Sequence, residues 1–219
     1  MAKNNIYWIG GAPCCGKSTM ADMLVKDYGF KYYKVDNHLD RYLDIGAKKG
    51  NKTLKAMKAR DREATWLGND IDVMVEEEFA YYRYALKIIE GDLKRQFGNK
   101  KVVVEGSAII PEYVKSKEIA EDRYVCMVPT RSFQTKEFAE RGWITRVLGG
   151  TSDPEKALEN WLERDGRFAQ IVRDQAIDNE QNLIIVDGHQ PIEQVYGQVK
   201  EMFGLITTEV EEKVDATDQ

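Results

Sequence analysis

Cysteine is scarce in this chain, with three residues in 219, and two of those, Cys14 and Cys15, are adjacent. So few thiols exclude a disulfide framework. Histidine is rarer still: His38 and His189 have no cysteine or histidine neighbours at ligand spacing, which argues against a transition-metal centre. No apolar run approaches the roughly 18 residues that span a bilayer. The N-terminus shows no signal-peptide pattern, so the expected location is cytoplasmic, without a membrane partner. There is no excess of positive charge: the net charge of −5 and pI of about 5.3 make nucleic acid an unfavourable partner. Internal repeats and coiled-coil heptads are absent too. What remains is a chain with 42% hydrophobic residues, enough for the core of one domain.

The most informative stretch is Gly11-Ala12-Pro13-Cys14-Cys15-Gly16-Lys17-Ser18-Thr19. It fits G-x-x-x-x-G-K-[ST], preceded by a short apolar strand, Ile6–Ile9, and followed by a helical pattern. The glycines permit a loop that wraps a phosphate with its amides turned inward, and the helix behind it offers unpaired N–H groups and a partial positive charge. Lys17 is expected to reach the β- and γ-phosphates, and the Ser18 hydroxyl to ligate Mg²⁺. Thr19 takes that duty only if the register slips by one. Cys14 and Cys15 read either as small residues suited to a tight loop or as thiols activated by a positive site; Cys126 reads as a core residue.

Periodicity gives the remaining elements. A first helix over 17–28 stops at Gly29. A second strand covers 30–35 and ends at Asp36. The segment 39–50 is mixed, and 52–67 reads as one helix. Ile71, Val75, Phe79, Tyr82, Leu86, Ile89, Leu93 and Phe97 form one apolar helical stripe, with Glu76, Glu77 and Glu78 on the wet side. Val102-Val103-Val104 suits a strand buried on both faces. Further strands are expected at 124–128 and 183–186, with helices opening at Pro111, Pro154 (capped by Asp153) and Pro191. Strands alternating with helices predict a three-layer α/β fold with about five parallel strands and helices on both faces. The expected domain spans 1–206, with a mobile lid at about 131–152, and the acidic tail 207–219 is expected to be disordered.

In such a sheet, ligands gather at the carboxyl ends of the strands. Asp36, beside the loop, is the candidate to orient or deprotonate an attacking hydroxyl, with helix capping as its alternative. Asp40 faces the same way if 38–42 is helical. Glu105 ends the valine strand and is a candidate metal or substrate ligand, or simply an acid that orders the following turn. Arg131, Arg141 and Arg146 lie in the lid segment, which lacks a strong apolar stripe, while Arg164 and Arg167 follow on the next helix. Two or more of these five are expected to contact phosphate. The basic run Lys48–Arg62 reads as a solvated face or as an attractor for an anionic acceptor, and His189 as a turn residue or a neighbour of an adenine.

Together the phosphate loop, Asp36, the Val-Val-Val-Glu-Gly strand end, the arginine-bearing segment and Ile-Val-Asp-Gly188 resemble the small-molecule kinases of the P-loop class: nucleoside monophosphate, shikimate and gluconate kinases and chloramphenicol phosphotransferase. The resemblance implies Mg-ATP as donor, a closing lid, and a small-molecule acceptor held under the helix that starts at Ile71; the expected state is a monomer or homodimer. The chain departs from the pattern in lacking a nucleotide-acceptor signature after the third strand and a compact arginine pair in the lid. The alternatives in function are a nucleotide-gated ATPase that moves a partner and a polynucleotide 5′-hydroxyl kinase.

Overall fold

A computed structural model gives the structure of the protein and describes residues 5–205. The tail 207–219 lies outside the described residues. Five strands, β1 (Ile6–Gly11), β2 (Lys31–Lys34), β3 (Val102–Glu105), β4 (Tyr124–Pro129) and β5 (Leu183–Val186), form one all-parallel sheet in the order β2-β3-β1-β4-β5. β1 lies at its centre, so the loop that leaves β1 opens over the middle of the sheet's carboxyl edge.

Alternation along the strands divides the core into two layers. Trp8, Val102, Val104, Tyr124 and Cys126 face one side, and Tyr7, Ile9, Val103, Val125 and Met127 the other. Side chains alternate across a pleated strand, and helices cover both faces here, so three consecutive valines are all buried. The first face is covered by α5 (Ile71–Phe97) and α9 (Pro154–Asp178), and the second by α1 (Lys17–Tyr28) and α10 (Ile192–Met202). In α5 the apolar stripe is buried from Val75 to Leu93, and Ile71 and Phe97 at its ends are partly buried. Glu78 is a correction: it does not join Glu76 and Glu77 on the wet side but is buried.

The expected single helix over 52–67 is two, α3 (Lys52–Ala59) and α4 (Arg62–Trp66). The break has a local cause: Asp61 is extended and its carboxylate accepts the Ala64 N–H at 2.8 Å, starting a new helix. The mixed segment before it forms α2 (Leu39–Lys48). Pro111 opens α6 (Pro111–Ser116) as expected. The expected lid is α7 (Arg131–Ala139) followed by α8 (Gly142–Leu148). It has a small core of its own, which sequence reading missed: Phe138, Ile144 and Leu148 pack on Trp66, Ala157 and Trp161. The Trp66 and Trp161 rings stack 4.2 Å apart. Among the described residues no helix is long and apolar enough to cross a membrane.

Candidate active site

One cavity of about 820 Å³ opens at the carboxyl edge of the sheet, and Pro13 to Met20 form its floor. Gly11 and Ala12 stand behind that floor rather than on it. Gly11 ends β1 with φ +112°, and a Cβ there would overlap the Met127 carbonyl of β4, so only glycine lets the chain leave the sheet at this point. The Ala12 N–H and the Cys15 thiol both donate to that same carbonyl, at 3.0 and 3.2 Å, which pins the loop to β4. Cys14 (φ 67°) and Gly16 (φ 78°) are both left-handed, and no side chain caps α1. Left-handed residues alternating with right-handed ones turn successive amides toward one point, the geometry of an anion nest.

Lys17 is buried, and its ammonium donates to the Ala12 carbonyl and, at 3.3 Å, to the Ser107 hydroxyl. Burial works against its charge, but Cys15, Glu105 and Asp36 act the other way and leave its pKa above the ordinary lysine value. Glu105 is 2% exposed; one of its oxygens accepts the Ser18 hydroxyl at 3.1 Å and the Tyr32 hydroxyl at 2.9 Å. Burial raises the Glu105 pKa, and Lys17 opposes that rise. Asp36 sits on a short 3₁₀ turn, Val35–His38, and lines the cavity. Gly106 makes this approach possible: a Cβ there would overlap Val35 and lie 3.3 Å from the Asp36 carboxylate. The loop lysine, the Ser18–Glu105 pair and Asp36 therefore meet in one place.

The thiols show no sign of activation. Burial pushes Cys14 up to about 11, ahead of the opposing Arg141, and raises Cys15 as well. The small-residue reading of the pair stands. Cys126 is likewise buried, and pushed up to about 12.

The arginines divide. Arg141, on the link between α7 and α8, lines the cavity, as does Arg164 of α9. Arg131 does not. Its guanidinium lies against α9, donating to the Leu162 carbonyl and, at 3.1 Å, to Glu163. Gly166 leaves the room for it, since any side chain there would occupy the guanidinium's place. Arg131 is thus removed from the candidate site. Arg146 and Arg167 do not line the cavity either, and Arg167 is exposed and paired with Asp72 and Glu163. Asp40 and the Lys48–Arg62 run also lie off the cavity, with Lys58 paired to Asp44 and Arg60 to Glu77. Asp187, the acid after β5, accepts the His189 N–H at 2.9 Å in a turn, and neither residue lines the cavity.

Sequence reading missed several lining residues. Phe133 packs on Gly188, and with Val186, Ile192 and Val195 it forms an apolar slot beside the loop. On the opposite side stand Glu78, Tyr82, Trp161 and Asp165.

No protein-family model and no curated protein matches the sequence. Among solved structures the chain is similar to TT1252 from Thermus thermophilus, at 13% identity over 92% of this chain and 97% of that one, with a TM-score of 0.50. It is also similar to shikimate kinase from Acinetobacter baumannii in complex with shikimate, at 12% identity over 90% and 91%, with a TM-score of 0.46. A gluconokinase from Sinorhizobium meliloti 1021 aligns at 12% identity over 91% and 90%, with a TM-score of 0.43. The chain carries a three-layer α/β P-loop fold. That follows from its own strand order and loop geometry, and likenesses at such identities speak to fold alone.

Proposed function

We propose that the protein is a phosphotransferase that moves the γ-phosphoryl group of ATP to a hydroxyl of a small molecule. The observation that carries this reading is the meeting of Lys17, the Ser18–Glu105 pair and Asp36 at one cavity floor. Phosphoryl transfer needs positioned positive charge, a hard-cation site and a group that orients the attacking oxygen.

In this reading the loop amides and Lys17 bind the triphosphate, and the apolar slot of Phe133, Val186, Ile192 and Val195 takes the base. The donor set suits Mg²⁺: an all-oxygen pair, Ser18 Oγ and Glu105, beside a phosphate site, matching a cation that prefers few protein ligands and keeps its waters. Ser18 would hold it directly and Glu105 through water, and the ion supplies neutralisation of the charge on the migrating group. Glu105 orients the Ser18 hydroxyl, while Asp36, open to the cavity, accepts the proton of the acceptor hydroxyl. Arg141, at the α7–α8 link, brings a guanidinium to the phosphates when the lid is closed, and the closed lid excludes water so that transfer outruns hydrolysis.

The test is ADP release with Mg-ATP across a panel of hydroxyl compounds. The expected result is turnover that rises sharply with one chemical class of acceptor, with a phosphorylated product recovered. Turnover independent of any acceptor, with no phosphorylated product, would instead mark a nucleotide-gated ATPase.

A further inference from the structure

The charged groups on the cavity wall opposite the apolar slot are spent on one another. Arg164 donates to Asp165 Oδ1 from Nε and Nη2, at 2.8 and 2.6 Å, and stands 3.3 Å from Glu78. The Trp161 indole N–H fills Asp165 Oδ2 at 3.1 Å, and the Tyr82 hydroxyl donates to Glu78 at 2.6 Å. Glu78 and Asp165 are both buried. What this wall turns to the cavity is ring surface, from Trp161 and above all from Trp143 of the lid.

The lid core does not require Trp143. In α8 that core takes Ile144 and Leu148, four apart on one side of the helix. Trp143 precedes Ile144 by one position, about 100° round the helix, and so leaves the core. It is 43% exposed, yet it lines the cavity. Its one ring partner among the described residues is Trp161, 5.6 Å away and inclined at 62°, so the two rings do not stack. A lone apolar side chain on open surface needs no explanation, but a tryptophan left open on the wall of a binding cavity is the kind of surface that holds a ligand. The ring also adjoins the phosphate end of the site. Cys14 of the loop packs in the same lid core as Trp161, and Arg141, two residues before Trp143, lines the cavity too. The slot assigned to the base lies across from it.

Building on the phosphotransferase reading, we propose that the acceptor is an alcohol with a flat aromatic or heteroaromatic ring, and that this ring stacks on Trp143. Trp143 is then a specificity residue: it touches the acceptor and selects planarity.

The experiment pairs acceptors that differ in the flat ring: benzyl alcohol with cyclohexylmethanol, and uridine with ribose. ADP release and phosphorylated product are followed with Mg-ATP. The flat-ring member of a pair is expected to exceed its counterpart in kcat/KM by about 10-fold or more, the scale of one stacked ring. Trp143→Leu keeps an apolar side chain and removes the ring. It is expected to cancel the preference, raising KM for the flat-ring member by roughly 10-fold. Mg-ATP affinity and the cooperative melt persist, because Trp143 lies outside the lid core. Trp143→Phe, which retains a ring, is expected to restore the preference in part. A preference for cyclohexylmethanol or ribose, or a ranking unmoved by Trp143→Leu, overturns this inference and leaves the phosphotransferase reading standing. Weakened Mg-ATP binding in Trp143→Leu with the acceptor ranking intact overturns it as well, and gives the ring to the nucleotide. If no flat-ring alcohol is phosphorylated but another class in the hydroxyl panel is, this inference fails alone; if nothing in the panel is phosphorylated, both fail.

Discussion

Lys17→Met is the most demanding test of the cavity floor, because it retains the buried stem and deletes only the charge. Two separable consequences follow. The first is on the nucleotide. Hydrogen bonds to charged groups are worth about 1.5–3 kcal/mol, so losing one ammonium–phosphate contact weakens Mg-ATP by roughly 10- to 150-fold. The second is on the fold. Lys17 stands against buried Glu105 and exposed Asp36, and it is Lys17 that opposes the rise in the Glu105 pKa. Lys17 acts on Glu105 through its field and not through a direct ion pair, so the cost stays below the roughly 3–5 kcal/mol of breaking a buried pair. Glu105 escapes part of that cost by taking up a proton.

The escape makes the stability loss depend on pH, with a definite sign. In the variant the folded pKa of Glu105 climbs further above its unfolded value of about 4.3. The folded state then binds a proton that the unfolded state has released. Its stability falls as pH rises from the unfolded carboxylate value through the raised folded one. Lys17 itself, with its pKa above the ordinary lysine value, stays charged throughout this window. The gap in stability between wild type and Lys17→Met is therefore small near pH 4.5 and widens toward pH 8. Denaturant melts across that range measure the gap, and titration with a fluorescent ATP analogue and Mg²⁺ measures the binding. Nucleotide affinity equal to wild type would refute the loop assignment, and a stability gap that does not change with pH would refute the coupling to Glu105.

Other substitutions probe the remaining parts. Asp36→Asn should leave Mg-ATP affinity within about threefold and lower acceptor-dependent turnover by roughly 10²-fold; equal losses in both, read by titration and steady-state kinetics, would make Asp36 structural. Arg131→Ala should leave kcat unchanged while Arg141→Ala lowers it by about 10-fold or more; the reverse order would restore Arg131 to the site. Gly10→Ala drives a Cβ into the Ile109 carbonyl and the Tyr124 ring and should destabilise the fold by more than about 3 kcal/mol. Gly166→Ala displaces only the exposed end of Arg131, against a helix-propensity gain of about 1 kcal/mol, so its melt should lie close to wild type. Glu78→Gln should stabilise the protein relative to wild type by a margin that grows as pH rises. The raised folded pKa of Glu78 means that wild type loses stability from the unfolded carboxylate value upward; a margin constant with pH would contradict it.

Much of this was legible in the order of residues. The loop, the bounds of α1, the long stripe of α5, the Pro111 and Pro154 helix starts and the five strands follow from short-range rules, because each is set by neighbours within a few positions. The strand-end rule was half right. Asp36 and Glu105 enter the cavity, whereas Arg131 and Asp187, equally close to strand ends, do not. The difference lies in contacts remote in sequence. Thr130 caps α7, with its hydroxyl 3.4 Å from the Phe133 N–H. The helix that starts there leaves Arg131 opposite Gly166, 35 residues on, where the absence of a side chain admits its guanidinium. Which way an arginine leaves a helix's first turn depends on what the facing helix offers, and no local pattern records that.

Glu78 is different, because its signal was present. Three consecutive glutamates invite reading as one wet patch, yet each residue turns the helix by about 100°, so three neighbours spread over roughly 200° of its surface. Glu78 lies three after Val75 and four before Tyr82, within the buried stripe. Asp92, three after Ile89, is buried by the same rule. The two acids divide by their partners. Asp92 accepts from Tyr33, Tyr42 and Arg41 on one oxygen and from Arg95 on the other, so it is a filled structural acid away from the cavity. Glu78 lies at the cavity wall, where one oxygen accepts the Tyr82 hydroxyl and the other pairs with Arg164 at 3.3 Å. A carboxylate on an apolar stripe says only that something must meet it. For Asp92 that something is two tyrosines and two arginines, and for Glu78 it is Tyr82 and Arg164, the latter 86 residues on, so the burial of both acids is legible in the helix period while their partners are not.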